Sequence, residues 1–158
     1  YIDDINSVSY AAYRLILHRF NNSPGNDRII GKANSLMNIL GLDTNFLESD
    51  GYESNSSSLG NFIAEQYIQY GLLDGSNEQS DYVNQYYEPV NEPLAPIFSG
   101  NPTITDPNRW QPLSLDIFVD QSGNVLSETT PEFLGAEWGS VWPFGLNDED
   151  LTEFEEVI

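Results

Sequence analysis

Arg109 is the residue on which anion chemistry in most of this chain would depend, because the other Lys and Arg residues all lie within residues 1–32. Proteins hold phosphate-like oxyanions with several charge-assisted hydrogen bonds, and no second cation lies near Arg109 in the sequence. A desolvated arginine needs a carboxylate partner and packs well on an aromatic face. We therefore predict that Arg109 is a structural residue, largely buried, paired with Asp106 and packed against Trp110.

Few residues of this chain are candidates for nucleophilic, acid–base or thiolate chemistry. The chain has no cysteine, and its only histidine, His18, lies among tyrosines and leucines of a predicted helix, where a structural role is expected. No serine lies in a nucleophile-elbow motif, and no glycine-rich loop precedes a lysine. Paired carboxylates are uninformative in a chain with 25 acidic residues. We predict no catalytic, cofactor-binding or metal-ligating residue in this chain.

The segment DGSNEQSD, at residues 74–81, contains hard oxygen donors of the kind that bind calcium: Asp74, Ser76, Asn77, Glu78 and Asp81. It lacks the glycine and the distal glutamate of an EF-hand loop. A solvated turn with helix caps explains the same residues, and this is the interpretation that we favour. Calcium stays an alternative ligand of this segment.

The acidic composition narrows the classes of partner. With 5 Lys and Arg residues against 25 Asp and Glu residues, the formal charge is −20. Such a field repels nucleic-acid phosphates and anionic membrane surfaces, and it favours cationic partners or calcium. No apolar run approaches the roughly 18–20 residues that a membrane-spanning helix needs. We therefore predict no nucleic-acid partner and no membrane span.

Apolar periodicity predicts three helices in the first half of the chain, over residues 3–20, 28–40 and 59–71. The first helix carries two apolar stripes, one of which begins with Ile5 and Val8, and this pattern predicts burial on most of its sides. Ser58 is the predicted N-cap of the third helix. These elements form a predicted helical part over residues 1–75.

The second half has a different character, because eight of the nine prolines lie between Pro89 and Pro143 and exclude long helices there. Alternating apolar residues and a Ser-Gly-Asn turn predict a β-hairpin at about residues 113–128. The segment LNDED begins a predicted carboxy-terminal helix. We therefore predict a mainly α chain, in which a helical segment precedes a proline-rich, loop-dominated part over residues 76–158, the two forming one incomplete domain.

Six blocks of the sequence are spread over residues 7–146: SVSYAAYRLILHRF, LMNILGLD, LGNFIAEQYIQYGLLDGSN, YYEPVN, DPNRWQPL and PEFLGAEWGSVWPFGL. In this order they resemble the amino-terminal portion of bacterial vanadium-dependent haloperoxidase-like proteins, which are relatives of the type 2 phosphatidic acid phosphatases. The most specific parts of the resemblance are DGSN, DPNRWQPL and EWGSVWPF. Trp138 and Trp142 lie in the last of these parts and, like Arg109, Asp106 and Trp110, are predicted to be structural.

The resemblance implies a haloperoxidase-like helical bundle that holds vanadate, or phosphate in the phosphatase relatives, among lysine, arginine and histidine side chains. The vanadium enzymes use hydrogen peroxide to oxidise halide. The family signature comprises a lysine six residues before Arg-Pro, a Pro-Ser-Gly-His block, and a Ser-Arg segment that leads to a histidine and an aspartate. None of these occurs here, since Lys32 precedes ANSLMNIL, Arg-Pro is absent and His18 is the only histidine.

Vanadate carries several negative charges, and its site needs several cations and a histidine ligand. We therefore expect an amino-terminal structural segment, inactive alone, whose partners are the carboxy-terminal catalytic helices of the complete protein, where vanadate binds. An acid phosphatase-like relative and a self-sufficient acidic module for calcium or carbohydrate are the alternatives. Exposed apolar stripes on the first and third helices would favour the segment over the module. We also expect export to the periplasm or the cell exterior, and a homodimer is an open alternative.

Overall fold

The computed structural model of the chain describes residues 3–97, 99–120, 123–127, 129–147 and 149–150. The chain divides into two compact units, one ending at Leu73 and the other beginning at Asp74. The first unit is helical, and no helix in the described part of the chain is long and apolar enough to cross a membrane. The second unit consists mostly of turns and irregular segments, with one small antiparallel sheet. The chain is therefore mainly α, as predicted.

Three helices form the first unit: α1 (Asp4–Phe20), α2 (Asn26–Ile39) and α3 (Ser56–Leu73). Each lies close to its predicted range. α1 begins where the carboxylate of Asp3 accepts a hydrogen bond from the N–H of Ile5. The start of α3 differs from the prediction, because the side-chain oxygen of Asn55 accepts hydrogen bonds from the N–H groups of Ser57 and Ser58. Asn55, and not Ser58, is therefore the N-cap of α3.

α1 and α3 pack closely at Gly60. A methyl group added there would lie 2.7 Å from Cβ of Tyr10 and closer still to the carbonyl oxygen of Ser7. The hydroxyl of Ser7 donates a hydrogen bond to the carbonyl of Ser56 at 3.0 Å, which joins the two helices beside the glycine. The two backbones can approach this closely because residue 60 has no side chain.

The core of the first unit is small. Its buried cluster consists of Tyr10, Tyr13 and Met37. Both tyrosine hydroxyls have partners, since Tyr10 donates to the carbonyl of Asp43 at 2.9 Å and Tyr13 donates to the side-chain oxygen of Asn34 at 2.7 Å. Each ring is thereby buried while its polar end stays hydrogen-bonded, which is the usual arrangement for a buried tyrosine.

α1 is not buried on most of its sides. Ile5 and Val8 are 67% and 66% exposed, and Ala12 on the same face is also exposed. The prediction that this stripe is buried is therefore wrong for its first three residues, whereas Leu15 and Ile16, which continue the stripe, are half-buried. The reason is that the buried cluster packs on the other side of α1, which carries Tyr10 and Tyr13. An apolar face of α1 stays open to solvent.

The hairpin of the second unit pairs β1 (Phe118–Val119) with β2 (Val125–Leu126) in antiparallel register, Phe118 opposite Leu126 and Val119 opposite Val125. The two strands are shorter than predicted, although the N–H of Leu115 donates to the carbonyl of Thr129 at 2.8 Å in the same register. Leu113, at the predicted start of the hairpin, forms an isolated parallel bridge with Leu94. Most of the predicted carboxy-terminal helix falls on residues 151–158, outside the described residues.

Candidate functional site

Asn91 organises the second unit from a buried position, with 1% of its surface exposed. Its side-chain NH₂ group donates to the carbonyls of Asp106, Arg109 and Trp110 at 2.8, 2.9 and 3.3 Å. Its side-chain oxygen accepts from the N–H groups of Thr105 and Asp106, both at 2.8 Å. One amide side chain thus uses its donors and its acceptor to fix the DPNRW turn.

The carboxylate of Glu137 holds a second segment. It accepts hydrogen bonds from the backbone N–H groups of Gln85, Tyr86 and Tyr87 at 3.0, 2.5 and 2.6 Å. Hydrogen bonds to the charged form favour ionisation, so these amides, that of Gln85 first, hold the pKa of Glu137 below its ordinary value of 4.5, against a smaller opposing effect of desolvation. Glu137 therefore clamps the backbone that leads into YYEPVN.

Three aromatic rings meet between these two anchors. Trp110 stacks on Phe133 with ring centroids 5.0 Å apart and planes at 14°, and Tyr87 meets Phe133 edge-on at 5.4 Å. The side chain of Asn84 donates to the carbonyl of Phe133 at 3.0 Å and fixes the segment that carries this ring. The rings line a cleft of about 350 Å³, and its other walls include four prolines: Pro89, Pro93, Pro112 and Pro131.

Arg109 is exposed, and the prediction that it is largely buried is wrong. The two expected partners are engaged elsewhere, because the carboxylate of Asp106 accepts from the N–H of Asn108 at 2.9 Å and Trp110 stacks on Phe133. Asp106 and Trp110 themselves are partly buried. The N–H of Arg109 donates to the carbonyl of Asp106, and its carbonyl accepts from the side chain of Asn91. The turn is therefore held through the backbone of Arg109 and not through its guanidinium.

Trp138 and Trp142 have anchored backbones and largely exposed rings. Trp138 begins a 3₁₀ turn, Trp138–Ser140, and is 57% exposed, whereas Trp142 is 71% exposed. The N–H of Trp142 donates to the carbonyl of Asp74 at 2.8 Å. The structural role expected for both tryptophans stays a prediction.

Arg14, the half-buried cation of the first unit, is held by an amide side chain and by backbone carbonyls. Nε of Arg14 donates to the side-chain oxygen of Asn61 at 3.1 Å, and its Nη2 donates to the carbonyls of Thr44 and Phe46. Arg14 therefore binds the backbone of the segment between α2 and α3. Exposed positions are occupied by the other basic side chains of this unit: His18, Arg19, Arg28 and Lys32.

The DGSNEQSD segment uses part of its polar groups on its own backbone. The carboxylate of Asp74 accepts from the N–H of Ser76 at 2.8 Å, and the side chain of Asn77 donates to the carbonyl of Val83 at 2.8 Å. Over the described ranges, no group of three or more His, Cys, Asp or Glu side chains could hold a metal ion. Calcium binding at this segment stays a prediction.

Sequence reasoning missed the two residues that organise the second unit, Asn91 and Glu137. Neither belongs to a periodic pattern, and both make mostly backbone contacts with residues distant in sequence. One signal could have found them, because Asn91 ends YYEPVN and Glu137 lies in PEFLGAEWGSVWPFGL, two of the blocks on which the resemblance rests.

No family model, no curated protein and no solved structure matches this chain.

Proposed function

We propose that this chain is the amino-terminal structural segment of a vanadium-dependent haloperoxidase-like enzyme. In this proposal the chain packs against the catalytic helices of the complete protein and shapes the approach to their vanadate site. The complete protein oxidises halide with hydrogen peroxide, and the segment alone has no activity.

The observation that carries the proposal is the exposure of apolar helix faces in the first unit. Ile5 and Val8 are exposed at the start of α1, and α2 and α3 expose further large apolar side chains: Leu36, Ile39, Tyr67 and Leu73. Contiguous exposed apolar surface on a helix is characteristic of an interaction site. A self-sufficient binding module gains nothing from leaving these faces open, whereas a segment that packs against further helices needs them.

Contacts between distant sequence blocks of the second unit support the same proposal. The blocks YYEPVN, DPNRWQPL and PEFLGAEWGSVWPFGL are far apart in sequence, yet Asn91, Trp110, Phe133 and Glu137 join them into one network of contacts. Blocks that specify a common scaffold are expected to retain their order and their sequence. Arg109 is the one cation in these blocks. Its backbone hydrogen bonds contribute to the network, and no second cation of the blocks could join it in binding an anion.

The test compares the 158-residue chain with the product of the complete reading frame. Each is assayed for vanadate-dependent bromide oxidation with hydrogen peroxide and for phosphomonoester hydrolysis. We expect no turnover by the short chain and bromide oxidation by the complete protein, whereas phosphomonoester hydrolysis instead would identify the acid phosphatase-like alternative. Vanadate-dependent turnover by the short chain alone, or neither activity in the complete protein, would contradict the proposal.

A pair of substitutions tests the packing role of α1. Val8→Asp places a carboxylate at an exposed position of α1, and Val83→Asp makes the same change at an exposed position of the second unit. Fully burying a valine stabilises by about 1.5–3 kcal/mol, so Val8→Asp should destabilise the complete protein by at least about 2 kcal/mol. The short chain should tolerate both changes. Equal effects of the two substitutions on the complete protein would argue against packing at α1.

A further inference from the structure

We propose that the cleft between Trp110, Phe133 and Tyr87 binds an organic cation of the alkylammonium or guanidinium class. This inference concerns the second unit alone and goes beyond the proposed function, because it requires neither vanadate nor the catalytic helices. The volume of about 350 Å³ lies within the range of small-ligand sites, near its lower end of about 300 Å³.

The cleft is formed before any ligand arrives. Its prolines have a fixed φ angle, and Asn91 at its wall is buried and fully hydrogen-bonded. Phe133 is held between the stacked ring of Trp110 and the edge of Tyr87. A ligand that enters a preorganised site orders few side chains, so little of its binding energy is spent on the protein.

The charge of the cleft selects the sign of the ligand. Glu92 and Glu132 line it, and no Lys, Arg or His is among its described lining residues. Glu92 accepts a hydrogen bond from the side chain of Gln111 at 2.8 Å through its backbone carbonyl, which leaves its carboxylate out of that contact. Both glutamates are exposed, so their carboxylates are accessible to a ligand from solvent.

Aromatic rings and carboxylates together favour one ligand chemistry. A cation is attracted to the face of an aromatic ring by the ring quadrupole, and most strongly to tryptophan. An anion is repelled by Glu92 and Glu132, and a neutral apolar ligand gains nothing from them. A compact cation with alkyl groups can contact the aromatic rings and also interact favourably with the carboxylates.

The experiment is calorimetric titration of the 158-residue chain with choline and, separately, with its neutral isostere 3,3-dimethylbutanol, at about 0.15 M salt so that long-range attraction is screened. We expect choline to saturate one site and the isostere not to bind. Glu92→Gln and Glu132→Gln should each weaken choline binding by about threefold or more, as the loss of one partly exposed charge contact implies. The indole N–H resonance of Trp110, assigned with Trp110→Phe, should shift with choline.

Glu88→Gln is the matched control, because Glu88 is exposed, lies close to the cleft in sequence and does not line it. It removes the same charge and should leave choline affinity within experimental error. Tryptophan emission of each variant checks that the second unit is folded, and either cleft glutamate suffices for the comparison. Absence of saturation, equal binding of the isostere, or equal loss in Glu88→Gln and the cleft variants would overturn the proposal.

Discussion

Substituting Gly60 by alanine tests the packing of α1 on α3. In the structure, the new methyl group would lie 2.7 Å from Cβ of Tyr10 and 3.1 Å from the backbone nitrogen of Ala11. Carbon atoms in contact are about 3.5–4.0 Å apart, so the helices must separate by about 1 Å. The nearest neighbours are mostly backbone atoms, which cannot turn away as the end of a long side chain can.

The expected cost follows from two opposing effects. Overpacking a close interface costs about 1–3 kcal/mol, and the rigid backbone neighbours place Gly60→Ala at the upper end of that range. Alanine regains about 1 kcal/mol over glycine inside a helix. The net loss is therefore about 2 kcal/mol. Gly31→Ala in α2 is the matched control, because nothing lies within 4 Å of its added methyl group, and it should stabilise the helix by about 0.5–1 kcal/mol.

Urea unfolding followed by circular dichroism at 222 nm measures this difference. The three long helices lie in the first unit and the three tryptophans in the second, so tryptophan fluorescence follows the other unit separately. For an m-value of about 1 kcal/mol/M, Gly60→Ala should lower the helical midpoint by about 2 M, and Gly31→Ala should raise it. A helical midpoint that Gly60→Ala leaves unchanged, or an equal loss in both variants, would refute the close packing.

Three further predictions concern the second unit and use the midpoint of tryptophan fluorescence in urea. Asn91→Ala should lower the free energy of unfolding by about 3 kcal/mol, because it leaves backbone groups without partners at about 1–3 kcal/mol each. Asn108→Ala, at an exposed position, should be neutral. Similar effects of the two substitutions would contradict the role of Asn91. The pKa of Glu137 is lower in the folded state than its ordinary 4.5, so its stabilisation is present above that pH and is lost as pH falls through the folded pKa. Between about pH 5.5 and 3, Glu137→Gln should therefore lose stability less steeply than the unsubstituted chain or Glu88→Gln, and parallel profiles would refute the clamp. Arg109→Ala should change the free energy of unfolding by less than about 0.5 kcal/mol, as for other exposed residues, and a loss of several kcal/mol would restore the buried pair predicted from sequence.

The helices could be predicted because their signals are local. Apolar spacing and the Asp3 cap lie within the segments that fold, and α1, α2 and α3 appear close to their predicted ranges. Which face of a helix is buried depends on its neighbours, so the apolar spacing of Ile5 and Val8 predicts burial although both residues are exposed. Periodicity identifies an apolar face but not what covers it.

The second unit was less predictable because many of its contacts are made by side chains of residues that are distant in sequence. The sequence indicates a structural role for Arg109 because cations are rare in this chain, yet the turn around it depends on the amide of Asn91. An asparagine in a loop resembles any solvated turn residue in sequence, and only its contacts distinguish the two. The cleft likewise depends on rings at positions 87, 110 and 133, whose separation no local pattern encodes.

Because of the contacts made by Glu137, the second unit can complete its folding only after the first unit during synthesis. Every contact within the first unit can form once Leu73 has been synthesised, whereas the amides of Gln85, Tyr86 and Tyr87 wait for a carboxylate about fifty residues further on. At a synthesis rate of about 5–20 residues per second, that delay lasts several seconds. The emerging YYEPVN segment thus spends this time with these backbone donors bonded only to water, at the stage when a chaperone or another nascent chain can reach it.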